Sequence, residues 1–409
     1  MTLVRRALGR RGLPVLGLVG VTGAALLLSA CQGSTPTSSA EPAGSGDSSS
    51  ATPDPAPPVR VSTNIGAAAS AVPVSKMVRV SAHHGTLQRV SVRSGKSVVA
   101  GELSNDHTSW SATGRLEPAQ AYVVQTVARN ADGKVRRSTA RFHSEALTLD
   151  QQTYPSVAPL QGETVGVGMP VIVTFDVPVT NKAAFEKHMT VTSTPAQRGS
   201  WRWISDNEAH WRPAKYWKAG TKVSVHVDVN SVPAGNGIYG QEDRDVEFNV
   251  GAANIYQVNA QTDQMKVFSN GKLLRTIPIT TGKPGFTTRS GTKVIIEKYR
   301  TKRMNSETVG IPQGSADAYD IDDVEYAMRV TYSGEFIHAA PWSVGSQGYA
   351  NVSHGCTGMS TANAGWLYAM SKRGDVVEYT GTDRWMTLTN GYGDWNLSFA
   401  DYRQGSALH

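Results

Sequence analysis

Two cysteines occur in the 409 residues, and only Cys356 sits among side chains that could make it reactive. Cys31 closes an export-type segment at the start of the chain, so Cys356 is the sole thiol expected to be free and has no internal disulfide partner. It ends the run Ser353-His354-Gly355-Cys356, and fourteen residues separate Ser353 from His338. A lone cysteine near two histidines, in a stretch loosened by Gly345, Gly348 and Gly355, has the composition of a nucleophile with its base. An unassisted thiol has a pKa of about 8.5, and a nearby imidazolium lowers it by one to several units. His338 closes a short apolar strand expected over 335–337, a rigid place from which to aim an imidazole, whereas His354 lies only two residues from the thiol. His338 is therefore assigned as the base, and Ser353 and His354 as residues that shape the nucleophile loop.

This pattern resembles the signature of the L,D-transpeptidase (YkuD-type) catalytic domain. The likeness extends to Asn270-Gly271-Lys272, Gly282-Lys283, Tyr332-Ser333-Gly334, Ala340-Pro341-Trp342-Ser343-Val344-Gly345, Lys372-Arg373-Gly374-Asp375 and Gly393-Asp394-Trp395-Asn396. It covers the chain from about residue 251 to the end and is of the actinobacterial multi-domain kind. One position departs: the family usually reads His-Gly-Cys-x-Asn, and Gly358 stands where the asparagine would be.

The resemblance implies a β-sandwich-like catalytic domain that needs no cofactor or metal. Cys356 would attack the carbonyl of the third residue of a peptidoglycan stem tetrapeptide. The resulting thioester would pass to the side-chain amine of a diamino acid on a neighbouring stem, giving a 3,3 cross-link without ATP. The backbone N–H groups of Gly355 and Cys356 are the expected oxyanion donors, with a lid tyrosine at Tyr319. His338 would orient its ring on a backbone carbonyl such as that of Ala339. Trp342, Met304 and Gly358 fall at substrate-contact positions, and carbapenem-type β-lactams are expected to acylate Cys356. Two alternatives stay open: an L,D-carboxypeptidase, in which water replaces the amine, and a non-catalytic wall-binding lipoprotein.

The elements that must carry this site are mostly β. Arg5, Arg6, Arg10 and Arg11, an apolar run over 13–28 broken by Pro14 and three glycines, and Leu28-Ser29-Ala30-Cys31 read as a lipoprotein signal over 1–30. Lipidation of Cys31 would hold the protein at the outer face of the cytoplasmic membrane, in the cell envelope. Loss of those four arginines takes 40 basic residues to 36 against 33 acidic ones, a net charge of +3. No basic cluster with interleaved aromatics suggests nucleic-acid binding. Residues 31–58, rich in Ser, Thr, Pro, Ala and Gly, read as a disordered tether.

Strand-like runs at 76–80, 86–92, 122–129 and 137–143 give one immunoglobulin-like sandwich over 59–146. A second, over 147–250, is marked by the alternation of Val223, Val225, Val227 and Val229 with Lys222, Ser224, His226 and Asp228. Trp201, Trp203, Trp211 and Trp217 fit its core better than a glycan platform, and His83-His84 fits an exposed turn better than a metal site. The catalytic domain spans 251–380, with a hairpin at Asn270-Gly271 and a polar segment over 300–323 long enough to be a lid. A helix begins at Ser360, runs through about Lys372 and braces the cysteine loop. The aspartates Asp320, Asp322 and Asp323 lack the glycine and terminal glutamate of an EF-hand loop. Residues 381–409, with Trp385, Trp395 and Phe399, form an extension expected to pack back onto other domains.

Overall fold

The computed structural model describes residues 54–408; Cys31, the signal segment and most of the tether lie outside the described residues. From Pro55 onward the chain forms one unit, Pro55–His409. It is mainly β, built from three successive two-sheet layers.

In the first layer, Arg60–Thr63, Arg79–His83, Ser109–Ala112 and Gly101–Leu103 form one sheet; Ser97–Val99, Thr86–Ser94, Ala121–Arg129 and Val135–His143 form the other. Between them lie Val78, Val80, Leu87, Val92, Trp110, Leu116 and Phe142, all buried. Tyr122 stacks on Phe142 at 5.1 Å, and its hydroxyl accepts the Glu117 N–H at 2.8 Å, pinning the corner that turns the chain from one sheet to the other. The strand expected over 76–80 starts later, at Arg79, because the Lys76 N–H closes a turn onto the Pro73 carbonyl. His84 occupies the left-handed region (φ 59°) in the exposed turn before Thr86.

The second layer pairs Pro155–Ala158, Val171–Phe175, Glu208–Pro213 and Gly199–Trp203 against Thr164–Val165, Arg244–Val250, Lys222–Val227 and Met189–Thr194. The four tryptophans are core residues. Burying an indole requires an acceptor for its N–H: Trp201 donates to the Met189 carbonyl, Trp217 to the Met169 carbonyl and Trp203 to the Glu186 carboxylate. Val223, Val225, Val227 and Val229 are all buried, as the alternation requires.

The third layer positions the site. Lys272–Pro278, Gln264–Ser269, Asn254–Asn259, Val376–Thr380 and Gly291–Val294 make one sheet; Glu297–Asn305, Asp320–Arg329, Phe336–Ala339 and Thr357–Met359 make the other. Asn270 and Gly271 take φ of 48° and 79°, the paired positive values of a two-residue hairpin turn. The helix Thr361–Met370 is capped by Ser360, whose hydroxyl accepts the Asn363 N–H. Ala364 and Leu367 bury its inner face in the core cluster that holds Met328, Ile337, Ala339 and Met359, so the helix braces the strands beside Cys356.

Two expectations change. The segment 300–323 is not one long lid: its arms extend the hairpin Glu297–Asn305 and Asp320–Arg329, leaving only 306–319 as a loop. Asp320 there takes a bidentate bond from Arg303, at 2.8 and 2.6 Å. His338 is not at the end of a strand over 335–337 but inside Phe336–Ala339.

The tail braces the second and third layers. Arg212 lies between the rings of Tyr402 (4.3 Å) and Trp395 (4.7 Å) and donates to the Leu397 carbonyl. Asp394, fully buried, meets His210 at 2.9 Å and accepts from the Tyr402 hydroxyl at 3.0 Å. Burial opposes the His210 charge, yet Asp394 and Glu208 carry its pKa up to about 9. On its other side, Asn396 exchanges two hydrogen bonds with the Thr292 backbone of the third layer's edge strand Gly291–Val294. Val294, Ile296 and Val376 belong to the second layer's own core.

Candidate active site

The cysteine loop is fixed by its own hydroxyl. Ser353 Oγ accepts the Gly355 N–H at 3.1 Å and donates to the Cys356 carbonyl at 2.6 Å, while Gly355 adopts φ 120°, which a side chain resists. Thr288 Oγ1 holds the Gly355 carbonyl at 2.8 Å, and Ser353 joins Thr281 and Lys283 through the backbone. Past Cys356 the chain enters Thr357–Met359, which runs parallel to Phe336–Ala339 with Ile337 opposite Thr357 and His338 opposite Gly358. Parallel pairing brings Cys356 and His338, distant in sequence, to the wall of one cavity.

That cavity encloses about 320 Å³, and its lining includes Cys356, His338, His354, Met304, Tyr319 and Trp342. Ser353 and Gly358 also reach its wall. His338 is buried, and its Nδ1 donates to the Ala339 carbonyl at 2.7 Å, leaving Nε2 as the atom available to accept a proton. Trp342, 57% exposed, stacks its indole on that imidazole with centroids 5.9 Å apart. His354 lies between the rings of Phe286 (4.8 Å) and Tyr319 (5.1 Å) and approaches Asp317, on the 306–319 loop, at 3.4 Å.

Electrostatics revise the sequence reading in two places. Burial lowers the His338 pKa from its ordinary value, only weakly countered by the Ala339 carbonyl, and burial pushes the Cys356 thiol up to about 11 despite the Phe336 N–H and the Lys293 charge. The resting pair is therefore a neutral imidazole and a thiol, not the imidazolium that would lower the thiol pKa. The thiol itself points at the Gly334 carbonyl, 3.7 Å away. The second revision concerns the oxyanion donors: the Gly355 N–H is taken by Ser353 Oγ, while the Cys356 N–H has no partner among the described residues. Tyr319, its pKa raised to about 12 by burial and then by Cys356, keeps a phenolic O–H to donate.

Gly358 is explained by space. A Cβ there would come within 2.8 Å of Ala340 Cβ and 3.1 Å of Thr280 Cγ2, in a backbone exchange that links Gly358 and Thr280 at 2.9 Å both ways.

Sequence reasoning missed the charged cluster behind the loop. Glu335, buried, takes Lys293 Nζ at 2.5 Å and Arg289 Nη1 at 2.9 Å. Lys293, with no exposed side-chain surface, also sits over the Tyr379 ring at 3.7 Å, and the Tyr379 hydroxyl bonds Thr357 Oγ1 at 2.7 Å. The cluster thus touches both the residue after Cys356 and the residue after Gly334. Its signal was present: a lysine immediately before the apolar run Val294-Ile295-Ile296 and a glutamate immediately before Phe336-Ile337 both demand a partner if buried. Lys283 and Asp317, paired at 2.5 Å between the loop 306–319 and the cysteine loop's neighbour, were missed as well.

Comparison with known proteins agrees with this architecture. Residues 253–378 match the L,D-transpeptidase catalytic domain and residues 69–233 a bacterial Ig domain, a span that reaches across both N-terminal layers. The chain is 36% identical over 338 residues to L,D-transpeptidase 2 of Mycobacterium tuberculosis, covering 82% of each. It is 33% identical over 350 residues to L,D-transpeptidase 5 of the same species, covering 83% of this chain and 75% of that one. The solved structure of the LD transpeptidase LdtMt1 in complex with imipenem is 40% identical and aligns with a TM-score of 0.49, over 55% of this chain and 97% of that chain. The chain belongs to the L,D-transpeptidase family.

Proposed function

We propose that Cys356 is the nucleophile of a peptidoglycan L,D-transpeptidase and His338 its general base. The observation that carries this is the parallel strand pair that sets a free thiol and a Nδ1-anchored imidazole on the wall of one cavity. On substrate binding the thiol swings from the Gly334 carbonyl towards His338 Nε2. His338 takes the thiol proton as sulfur attacks the carbonyl of the third stem residue. The oxyanion of the tetrahedral intermediate meets the Cys356 N–H and the Tyr319 hydroxyl. As the intermediate collapses, His338 Nε2 returns the proton to the departing amine of the fourth residue, leaving a thioester. The side-chain amine of a second stem then attacks and gives a proton to His338, which passes it to the departing sulfur, so the cross-linked product leaves with the thiol and the neutral imidazole restored.

Carbapenem-type β-lactams present a strained amide to the same thiol, in line with the imipenem complex of the similar LdtMt1. Lipidation of Cys31 would place this chemistry at the outer face of the cytoplasmic membrane, where the tether lets the folded layers reach the wall. Envelope fractionation of wild type and Cys31→Ser tests that placement: equal release into the medium refutes it. For the chemistry, purified stem tetrapeptide is incubated with a free amine acceptor and followed by mass spectrometry. A cross-linked dimer with loss of the fourth residue is expected. Release of the fourth residue without a dimer would make the enzyme a carboxypeptidase, and no change would end the assignment.

A further inference from the structure

The first layer carries a second charged surface that the chemistry does not use. The strands Thr86–Ser94, Ser97–Val99, Ala121–Arg129 and Val135–His143 contain Arg89, Arg93, Arg129, Arg136, Arg137 and Arg141 and no Asp or Glu. The register sorts them. Arg89, Val127 and Arg137 lie in one row across three strands; Ser91, Gln125 and Thr139 in the next; Arg93, Val123 and Arg141 in the third. Tyr122, Val124, Thr126 and Ala128 alternate inward and are buried, so these three rows face out.

Across three strands the two arginines of a row stand about 10 Å apart at the backbone, and the rows of arginines about 13 Å apart along the strands. Arg89, Arg93, Arg137 and Arg141 are exposed, and none forms an ion pair among the described residues. A shallow groove of about 340 Å³ runs over the middle of this array, lined by Ser91, Gln125, Thr139 and the flanking Arg89, Arg93 and Arg137.

We propose that this face binds a linear, hydroxyl-bearing polyanion: a polymer of sugar or polyol units joined by phosphodiesters. Guanidinium forks match phosphate oxygens with two parallel bonds. The polar row between the two arginine rows supplies what hydroxyls of such a polymer need, namely the amide of Gln125 and the hydroxyls of Ser91 and Thr139. A flat lipid surface would meet the tips of the arginines and leave that recessed polar row without a role. The groove shares no lining residue with the cavity that holds Cys356, so a polymer held here need not occupy the active site.

The test uses the full chain carrying Cys31→Ser, so that no acyl chain contributes. Probes are poly(glycerol phosphate), neutral dextran, and vesicles of phosphatidylglycerol and phosphatidylcholine. Binding to poly(glycerol phosphate) should weaken roughly 10- to 100-fold between low and physiological salt, as four phosphate contacts release counterions. Arg89→Ser with Arg137→Ser should weaken it about 10-fold or more, while Arg89→Lys with Arg137→Lys should retain most of it. Gln125→Ala with Thr139→Val should weaken the polymer and spare the vesicles. These are surface positions, so imipenem acylation of Cys356 serves as the control for intact folding and should not change.

Undiminished polymer binding in the arginine variant overturns the proposal. So does vesicle binding as tight as polymer binding together with indifference to the Gln125 and Thr139 changes, which would make the face a membrane contact. Equal binding of neutral dextran would overturn the charge argument.

Discussion

Titrating the alkylation of Cys356 by iodoacetamide probes the resting state of the site directly. With the thiol pushed up to about 11 by burial, the thiolate fraction at pH 7 is about 10⁻⁴, since each unit between pH and pKa is a factor of ten. An ordinary exposed thiol, with a pKa of about 8.5, would hold about 3 × 10⁻². The alkylation rate should therefore climb close to tenfold per pH unit from 7 to 10 without a plateau. The charged cluster behind the loop supplies the perturbation. Glu335→Gln removes an anion that disfavours the thiolate and should lower the alkylation midpoint by on the order of one unit. Burial lowers the Lys293 pKa to about 8 despite Glu335, so Lys293 favours the thiolate only below that pH, and Lys293→Met should slow alkylation at pH 7 while leaving the rate above pH 9 nearly unchanged. Both should lose stability, because each leaves a buried partner incompletely paired: on the order of 3–5 kcal/mol for Lys293→Met and less for Glu335→Gln, which keeps its hydrogen-bonding shape. Shared destabilisation with different pH profiles separates electrostatics from damage. An alkylation plateau below pH 8, or the same change of profile in both variants, would refute the reasoning.

Cys356→Ala should abolish the imipenem mass adduct and leave the thermal midpoint nearly unchanged; a persisting adduct would place the nucleophile elsewhere. Gly358→Asn should not improve the site: with Ala340 Cβ at 2.8 Å it should cost about 1–3 kcal/mol in denaturant unfolding, partly recovered by adding Ala340→Gly. His210 has a folded pKa raised to about 9, so its contribution is fully present below the unfolded value of about 6.5 and is lost as pH rises through 9, a total of about 3 kcal/mol. Burial alone would raise the Asp394 pKa, but His210 and Tyr402 hold it lowered, so its contribution persists above the ordinary carboxylate range and disappears only in acid. Urea unfolding from pH 6 to 9.5 should show the alkaline loss in wild type and not in His210→Gln. Deleting residues 59–146 should leave imipenem acylation intact, whereas a chain starting at Gly251 should be markedly destabilised, because Val294, Ile296 and Val376 pack into the second layer's core.

The sequence by itself determined what is local. Alternating valines announced the strand Lys222–Val227, Asn270-Gly271 announced a hairpin whose positive φ values few other pairs accept, and Ser360 announced a helix start through its capping hydroxyl. The His338 and Ser353 to Cys356 spacing singled out the residues that line the cavity. What the tertiary structure decided is everything that depends on burial and on partners remote in the chain. The rise of the Cys356 pKa, the neutral state of His338 and the capture of the Gly355 N–H by Ser353 follow from desolvation and from a turn geometry that residue types do not encode. The Lys293 and Glu335 pair, 42 positions apart, and the His210 and Asp394 pair, 184 apart, come together only when sheets stack. The row arginines of the first layer come from two strands separated in the sequence, and only antiparallel register across the strand between them assembles one face. Local propensity is a property of a few consecutive residues, whereas a pKa, a buried ion pair or a charged face is a property of the volume around them.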